Sequence, residues 1–302
     1  MSQQVPDIWI HSMRQGKYET AWDHCDQVLQ SRAGKLCWHW PRHLQYIWKG
    51  EPLNGKRVLV RCYHGLGDTI QFIRYAPLLK SVASEVIVWA QPKLLRLLQS
   101  VQGIDRLIPL HDGTPEAAFD VDVEIMELPY IFRSTIDTIP AAIPYLHIDK
   151  KPLQNNGRPN VGLVWRAGDW NENRSIPFAL MRTLAELKHI NFHILQPGAI
   201  EAGWDNTFGI YHGELDVYDY AQLIAGLNLL ISIDSMPVHL AGALGVPVWT
   251  MLQAEADWRW MDQLEYSPWY PTMRLFRQHS PGKWEPVIRR IAEELTVMYK
   301  GV

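Results

Sequence analysis

The stretch that decides the fold runs from residue 229 to residue 251 and reads LLISIDSMPVHLAGALGVPVWTM. A β-branched apolar run ends at Asp234, a short helical pattern follows from about Ser235 to Leu244, and a second apolar run begins at Val246. Strand, helix and strand within two dozen residues are the pattern of a parallel βαβ unit. The stretch therefore predicts an α/β protein.

The start of this predicted helix is a candidate anion site. Ser235 suits the N-cap position, and Pro237 falls in the first turn, where its missing N–H costs nothing. Backbone N–H groups at a helix start, just past the carboxyl end of a strand, can hold an anion. Asp234 and His239 stand on either side. The pattern predicts a site for a phosphate-bearing ligand, although an ordinary crossover capped by its Asp would show the same pattern.

The composition narrows the class of protein. A chain of 302 residues with 47% hydrophobic and 20% charged residues can fold as two globular domains. A net charge of −3 gives no electrostatic footprint for nucleic acid or an anionic membrane. No run reaches membrane-spanning length, no signal peptide stands at the start, and three unpatterned cysteines favour a reducing compartment. We therefore expect a cytoplasmic protein with no nucleic-acid partner and no transmembrane segment.

Residues 1–50 predict a short helical extension. Helical patterns cover Ile8–Arg14 and Tyr18–Leu29, on either side of Gly16. The turn between them resembles the middle of a tetratricopeptide unit, and such units are stable only when stacked. We therefore expect a helical cap docked on the main body, with partner recruitment as the alternative.

Two α/β series follow the extension. Strand and helix patterns alternate through residues 51–150 and again through residues 158–302, on either side of a polar, breaker-rich linker. Within the first series, Pro77 should kink or shorten the helix predicted from Thr69 to Lys80. Two Rossmann-like domains joined in this way predict a ligand cleft between them.

The segment Gly65-Leu66-Gly67-Asp68 follows the predicted strand at residues 57–61 and opens a helix. Its glycines, Gly67 included, allow a ligand close to the backbone, but it is neither a dinucleotide fingerprint nor a P-loop. Asp68 stands at the helix N-terminus, where the helix dipole favours a negative charge, and it could accept a proton from a hydroxyl. The same carboxylate could also serve only as a helix cap.

Two further segments carry charged residues: one is a candidate phosphate site, and the other resembles a metal site but is interpreted as a strand. Arg166 and Arg174 flank a loop that follows the first strand of the second series, where two cations could hold a pyrophosphate, although surface arginines are usually only solvated. Asp120-Val121-Asp122 looks like a metal-binding Asp-x-Asp motif. It lies in an alternating apolar run, however, so we interpret it as the start of a strand and predict no metal site.

Four ordered motifs carry a family resemblance that covers roughly residues 50–298. They are GLGDTIQFIRY at 65–75, VGLVW with RSIP within 161–177, SIDSMPVHLAGALG at 232–245, and DWRW with SPWYPTMRLFRQ within 257–278. Together they resemble the heptosyltransferase family, glycosyltransferase family 9, and most of all the branch associated with tetratricopeptide repeat proteins. The resemblance implies a GT-B fold, in which two Rossmann-like parallel-sheet domains face a cleft and the C-terminal domain holds most of a nucleotide-sugar.

The resemblance also implies roles for individual residues. Asp68 matches the position of the family's catalytic base, and Arg174 falls where the family has a Lys that contacts the donor phosphates. Asp234, Ser235 and His239 fall on the family's Asp-Thr-Gly-x-x-His donor motif.

Other positions depart from the family pattern or match it less securely. Met236 replaces the motif glycine whose backbone approaches the phosphate, so the geometry of donor binding could differ. Glu201 is our choice for the family's ribose-binding Glu. Trp258 and Trp260 are candidates for stacking on the sugar or base, although most rings of that segment should be core.

The implied function is a metal-independent, inverting transfer of a sugar from a nucleotide-sugar, with ADP-heptose as the default donor and no cofactor. The acceptor could be a glycan, a lipopolysaccharide core or a protein, and the sequence leaves the oligomeric state open. The alternative is a non-catalytic GT-B-like scaffold whose N-terminal helices dock a partner, an interpretation motivated by Met236.

Overall fold

A computed structural model describes residues 4–153, 156–168 and 171–300, with side chains from residue 8 onward. The chain divides into two compact units. The first comprises the chain up to His147 together with Asp257–Gln263, and the second comprises Ile148–Ala256 and the chain from Leu264 onward. The short segment Asp257–Gln263 therefore belongs to the first unit, whereas the sequence placed it within the C-terminal domain.

The first unit begins with two helices, α1 (Gln4–Arg14) and α2 (Tyr18–Arg32), joined at Gly16, whose φ of +72° suits glycine. A parallel sheet of four strands follows, in the order β3-β2-β1-β4. The strands are β1 (Arg57–Arg61), β2 (Glu85–Ala90), β3 (Arg106–Pro109) and β4 (Val121–Glu124). The helices between and after them are α3 (Leu66–Phe72), α4 (Ala76–Val82), α5 (Leu95–Leu98) and α6 (Leu128–Ile131).

The helix predicted from Thr69 to Lys80 is broken just before Pro77, the residue expected to kink or shorten it. The end of α3 tightens into a 3₁₀ turn at Ile73–Tyr75, and α4 starts anew with Pro77 in its first turn. A proline is tolerated there because its missing N–H has no intrahelical partner to lose.

The second unit is built on a parallel sheet of six strands in the order β10-β9-β8-β5-β6-β7. The strands are β5 (Asn160–Val164), β6 (Asn191–Ile194), β7 (Ile210–Tyr211), β8 (Leu229–Ile233), β9 (Val248–Leu252) and β10 (Met273–Arg277). The helices are α7 (Phe178–Met181), α8 (Val217–Ala225), α9 (Met236–Ala243) and α10 (Glu285–Met298).

The predicted βαβ unit is confirmed as β8, α9 and β9. Every residue of β8 and β9 is buried, as expected of inner strands covered on both faces. The second strand starts at Val248, two residues later than predicted, because Gly245, just after the end of α9, is in the left-handed region and Pro247 follows. Neither β7 nor β10 was predicted from the sequence.

Both sheets have a topological switch point, where successive strands add on opposite sides of a central strand. In the first unit, β1 lies between β2 and β4, and in the second, β5 lies between β6 and β8. Ligands of open α/β sheets bind beyond the carboxyl ends of the strands at such points. The segments after β1, β4, β5 and β8 are therefore where each unit is expected to carry its site. In the part of the chain that the structure describes, no helix is both long and apolar enough to cross a membrane.

Candidate active site

Asp68 lies at the switch point of the first unit, in the first turn of α3 just after Gly67. Its Oδ2 accepts a hydrogen bond from the backbone N–H of Gly65 at 2.9 Å, so the carboxylate closes the start of the helix. Its Oδ1 accepts a second hydrogen bond, at 2.5 Å, from Nη2 of Arg259. The predicted helix-start position is correct, and the carboxylate remains about a quarter exposed.

Arg259 is the residue of this site that the sequence analysis missed. Its side chain is buried, and besides Asp68 it donates to Gln71 Oε1 at 2.7 Å and to Asp257 Oδ1 at 2.8 Å. The guanidinium also lies 4.9 Å from the ring centroid of Trp258. The DWRW motif was considered only for its tryptophans, although a buried arginine between two carboxylates is a strong orienting group.

The N-terminal helix α1 packs on the segment that carries Arg259. Trp9 meets Trp258 edge to face, with 5.2 Å between the ring centroids. Arg14 donates to the Asp262 carboxylate at 2.8 Å, and the Asp262 N–H donates to the carbonyl of Arg14 at 3.0 Å. Within the first unit, α1 therefore helps to fix the position of the segment from which Arg259 reaches Asp68.

The stacking role expected of the tryptophans needs a correction at Trp260. Its side chain is fully buried, so the ring cannot stack on a ligand in this structure. Trp258 is partly exposed, but its ring packs between Trp9 and Phe72. The ring of Trp260 is thus used entirely in packing, whereas Trp258, although packed in this way, also lines a cavity of about 400 Å³.

His64 and Glu124 join the ends of the two strands that flank the first switch point. His64 Nδ1 lies 2.9 Å from Glu124 Oε1, directly after β1 and at the end of β4. Burial lowers the pKa of His64, but the hydrogen bond and negative charge of Glu124, with a contribution from Asp68, outweigh it and raise the pKa above the usual value. The pair places a second titratable group beside the Asp68 carboxylate.

Arg174 and Asp234 come together at the switch point of the second unit. Arg174 is buried, and its Nη1 donates to the backbone carbonyl of Asp234 at 2.7 Å. This contact joins the loop after β5 to the start of α9, as expected if both contribute to one phosphate site. The Arg174 side chain is thus part of the packed structure rather than a solvated surface group.

The first turns of α9 are held in place by contacts with Tyr270. Ser235 is the N-cap residue in an extended conformation, and Met236, half-buried, is the first helical residue. His239 is buried one turn later, with Nδ1 3.1 Å from the hydroxyl of Tyr270. A Cβ on Gly242 would overlap the ring of Tyr270, so glycine is required for this close packing.

Arg166 and Glu201 line one cavity of about 400 Å³ in the second unit, next to the Arg174 loop. Arg166 donates through Nη1 to the carbonyl of Glu201 at 2.7 Å, while both side chains stay exposed. The base of the loop is closed by the Ile176 N–H, which donates to the carbonyl of Trp165 at 2.8 Å. Residues 169–170 of the predicted phosphate loop lie outside the described residues.

A second carboxylate near this edge of the sheet was not predicted. Glu214 follows β7, and its Oε1 accepts from the hydroxyl of Tyr211 at 2.7 Å and from the N–H of Gly198 at 3.0 Å. The Tyr211 hydrogen bond is the main reason that the pKa of Glu214 is lowered. The short strand that positions it, β7, gave no sequence signal, and this is why the residue was missed.

The two aspartates of the Asp-x-Asp segment each pair with an arginine of β1. Asp120 accepts from Arg57 and Asp122 from Arg61, both at 2.7 Å. The hydrogen bonds and charge of Arg57 lower the pKa of Asp120 to about 2. Among the described residues, no three His, Cys, Asp or Glu side chains are grouped as metal ligands.

Comparison with known proteins places this geometry in a structural class. No protein-family model matches the chain. Protein FlbA of Caulobacter vibrioides is 27% identical over 82% of this chain, and the chain spans about half (48%) of that protein's length.

Solved structures similar to the chain include two glycosyltransferases. The glycosyl transferase family 9 protein from Veillonella parvula is 14% identical, over 83% of this chain and 91% of that one, with a TM-score of 0.58. E. coli ADP-heptose lipopolysaccharide heptosyltransferase II is 15% identical, over 81% and 98% of the two chains, with a TM-score of 0.57. The chain therefore has the α/β fold of the family 9 heptosyltransferases, that is, a GT-B fold, and the fold predicted from the sequence is confirmed.

Proposed function

We propose that this protein is a glycosyltransferase that moves a sugar, heptose by default, from a nucleoside-diphosphate donor to a hydroxyl of a glycan, a lipopolysaccharide core or a protein. One observation carries the proposal. Each unit places its charged residues at the carboxyl ends of the strands that flank its switch point, a carboxylate with an arginine in the first and a buried arginine beside a helix start in the second.

The catalytic part of the proposal concerns Asp68. Each carboxylate oxygen can accept more than one hydrogen bond, so the bonds from Arg259 and Gly65 leave capacity for an acceptor hydroxyl. Asp68 would take the proton as that oxygen attacks the anomeric carbon from the face opposite the leaving group, which inverts the configuration. Arg259 orients the carboxylate and so acts as a positioning residue.

The donor part of the proposal concerns Arg174 and α9. As the glycosidic bond breaks, negative charge develops on the leaving diphosphate. A guanidinium fixed by its bond to Asp234 and the positive end of the α9 dipole stabilise that charge without a divalent ion. Arg166 and Glu201, with Glu214 as a second carboxylate, would contact the nucleoside. ADP-heptose is the first donor to test, since it is the sugar donor named for the E. coli structure.

The donor site is tested by binding alone, so its outcome does not depend on knowing the acceptor. Calorimetry with ADP, UDP and GDP and their sugar derivatives should find one that binds. Arg174→Gln should weaken that binding roughly tenfold to a hundredfold, the range of a lost charge-assisted hydrogen bond. Arg289→Gln, an exposed change on α10, is the matched control and should bind as the parent does. If no nucleotide binds, the donor-site proposal is wrong.

Met236 distinguishes transfer from the scaffold alternative. If its side chain filled the phosphate position, Met236→Gly would create nucleotide binding that the parent lacks. We expect a neutral or slightly harmful change instead, since glycine at the first helical position adds flexibility to the unfolded chain. A large gain in affinity from an undetectable starting level would favour the scaffold.

The metal-independent part of the proposal has its own test. Transfer by the enzyme treated with EDTA or an iron chelator, then freed of the chelator, should match that of the untreated enzyme. A rate that falls and is restored by one added metal ion would mean that the leaving group is stabilised by that ion.

A further inference from the structure

An apolar surface is exposed on the loop that leads from α2 to the first sheet. We call residues 36–46 the tryptophan loop. Leu36 is 77% exposed, Leu44 53% and Trp38 51%, and Trp40 lies beside them at 36%. Large apolar side chains grouped in this way on one short segment usually mark a surface that contacts another body.

The tryptophan loop is held in a defined conformation by hydrogen bonds within it. Its ends meet where the Tyr46 N–H donates to Sγ of Cys37 at 3.3 Å and the Cys37 thiol donates to the Tyr46 carbonyl at 3.4 Å. Gln45 Nε2 donates to the carbonyl of Trp40 at 2.8 Å and approaches that of Trp38 at 3.4 Å. A compact loop with paired ends and internally bonded carbonyls can enter an apolar medium at lower cost than an open one.

The surroundings of the loop are strongly basic although the protein as a whole is not. Residues 27–50 contain no Asp or Glu and four basic residues, which are Arg32, Lys35, Arg42 and Lys49. In the described part of the chain, only Arg42 of these places its side-chain charge within 4 Å of a carboxylate, that of the exposed Asp112 at 3.9 Å, while the backbone N–H of Lys49 donates to the Glu51 carboxylate at 2.9 Å. The net charge of −3 thus conceals a formal charge of +4 over residues 27–50, which Asp26 and Glu51 flank.

We propose that the tryptophan loop docks this protein on an anionic lipid surface. Tryptophan and leucine side chains enter the headgroup boundary, while nearby lysines and arginines contact lipid phosphates. The exposed leucines favour lipid over nucleic acid, which would be bound by basic and aromatic groups without them. Gln45 bonds the carbonyls of Trp40 and Trp38, the residues that would enter the headgroup boundary, and this favours lipid over an acidic protein, whose polar surface imposes no such requirement. This inference concerns binding alone and holds whether or not the proposed transfer is correct.

The test is co-sedimentation of the full chain with vesicles of phosphatidylglycerol and phosphatidylcholine, compared with pure phosphatidylcholine. Lys35→Gln and Lys49→Gln should each weaken binding about fivefold, the equivalent of about 1 kcal/mol for one cation near an anionic surface. Trp38→Ser with Leu44→Ser should weaken it at least tenfold. Arg42 is left intact because its Nη2 also holds the loop through the carbonyl of His111, at 2.6 Å.

The matched control carries Ile200→Ser and Lys188→Gln, which remove an exposed apolar side chain and an exposed cation from the second unit. It should bind vesicles as the parent does, and all variants should show the parent's unfolding temperature. Binding to anionic vesicles that the loop variants lose and the control keeps would support the proposal. A parent that ignores vesicles, or loop variants that bind as well as the control, would overturn it. Self-association that depends on the loop, without vesicle binding, would assign the surface to a protein interface instead.

Discussion

Replacing Arg259 by alanine should destabilise the first unit by about 3 kcal/mol. The change removes hydrogen bonds to Asp68 at 2.5 Å, Gln71 at 2.7 Å and Asp257 at 2.8 Å. Two of the three partners are carboxylates, and a hydrogen bond to a charged group contributes roughly 1.5–3 kcal/mol. The side chains of Asp68 and Asp257 are 26% and 30% exposed, so water will solvate both carboxylates once the guanidinium is gone. The expected cost in unfolding free energy is therefore near the lower end of the summed contributions of the three hydrogen bonds.

The matched control is Arg290→Ala. Arg290 also faces two carboxylates, those of Glu265 and Glu294, but its side chain is 44% exposed. Such a surface pair contributes about 0–1 kcal/mol. Arg259→Lys should fall between the two, because a single ammonium cannot reach all three partners of the guanidinium fork.

Urea unfolding gives the free energies, and hydrogen exchange locates them. In Arg259→Ala, peptides covering residues 64–76 and 257–263 should exchange faster than in the parent, whereas the second unit should not change. A cost no larger than that of Arg290→Ala, with unchanged exchange in both peptides, would refute the view that Arg259 holds the Asp68 segment together.

Three further changes should have distinct effects. Trp9→Ala removes the edge contact to Trp258 and should lower kcat about tenfold with donor affinity unchanged, whereas Trp9→Phe should restore most of the rate. Gly242→Ala forces a methyl group against Tyr270 and should cost about 1–3 kcal/mol by urea unfolding and weaken nucleotide binding, and a neutral result would mean that this packing is not required. The raised pKa of His64 means that its cation stabilises the fold below pH 6.5 and loses this effect as the pH rises through the higher folded value. The unfolding free energy of the parent, relative to His64→Gln, should therefore fall above pH 6.5, and a constant difference would contradict this assignment.

The sequence predicted those parts of the fold that depend on local patterns. An apolar run fully buried on both faces, such as Leu229–Ile233, and a helix start marked by Ser235 and Pro237 carry their signal within a few residues. The two-residue strand Ile210–Tyr211 has no such local signal, because it is a strand only through its pairing with β6, which is remote in sequence. The same limitation hid Glu214, which that strand positions.

The residues of the candidate site could be predicted where a charged residue stands beside a predicted helix start. Asp234 stands directly after β8, and Asp68 lies in the first turn of the helix that follows β1, so local patterns placed both at the correct edge of each sheet. Arg259 could not be found this way, since its partner Asp68 is 191 residues away and no local pattern distinguishes a buried arginine from an exposed one. The mistaken stacking role of Trp260 has the same origin, because its burial depends on contacts remote in sequence.

The measurement that tests the central claim most directly is transfer by Asp68→Asn. With the donor identified by calorimetry and a panel of hydroxyl acceptors, the release of the nucleoside diphosphate is followed for the parent, for Asp68→Asn and for the exposed control Asp137→Asn. If Asp68 is the general base, its variant should keep the donor affinity of the parent and lose roughly 10²–10⁴-fold in kcat, while the control is unaffected. Turnover by Asp68→Asn within a few fold of the parent would contradict the account.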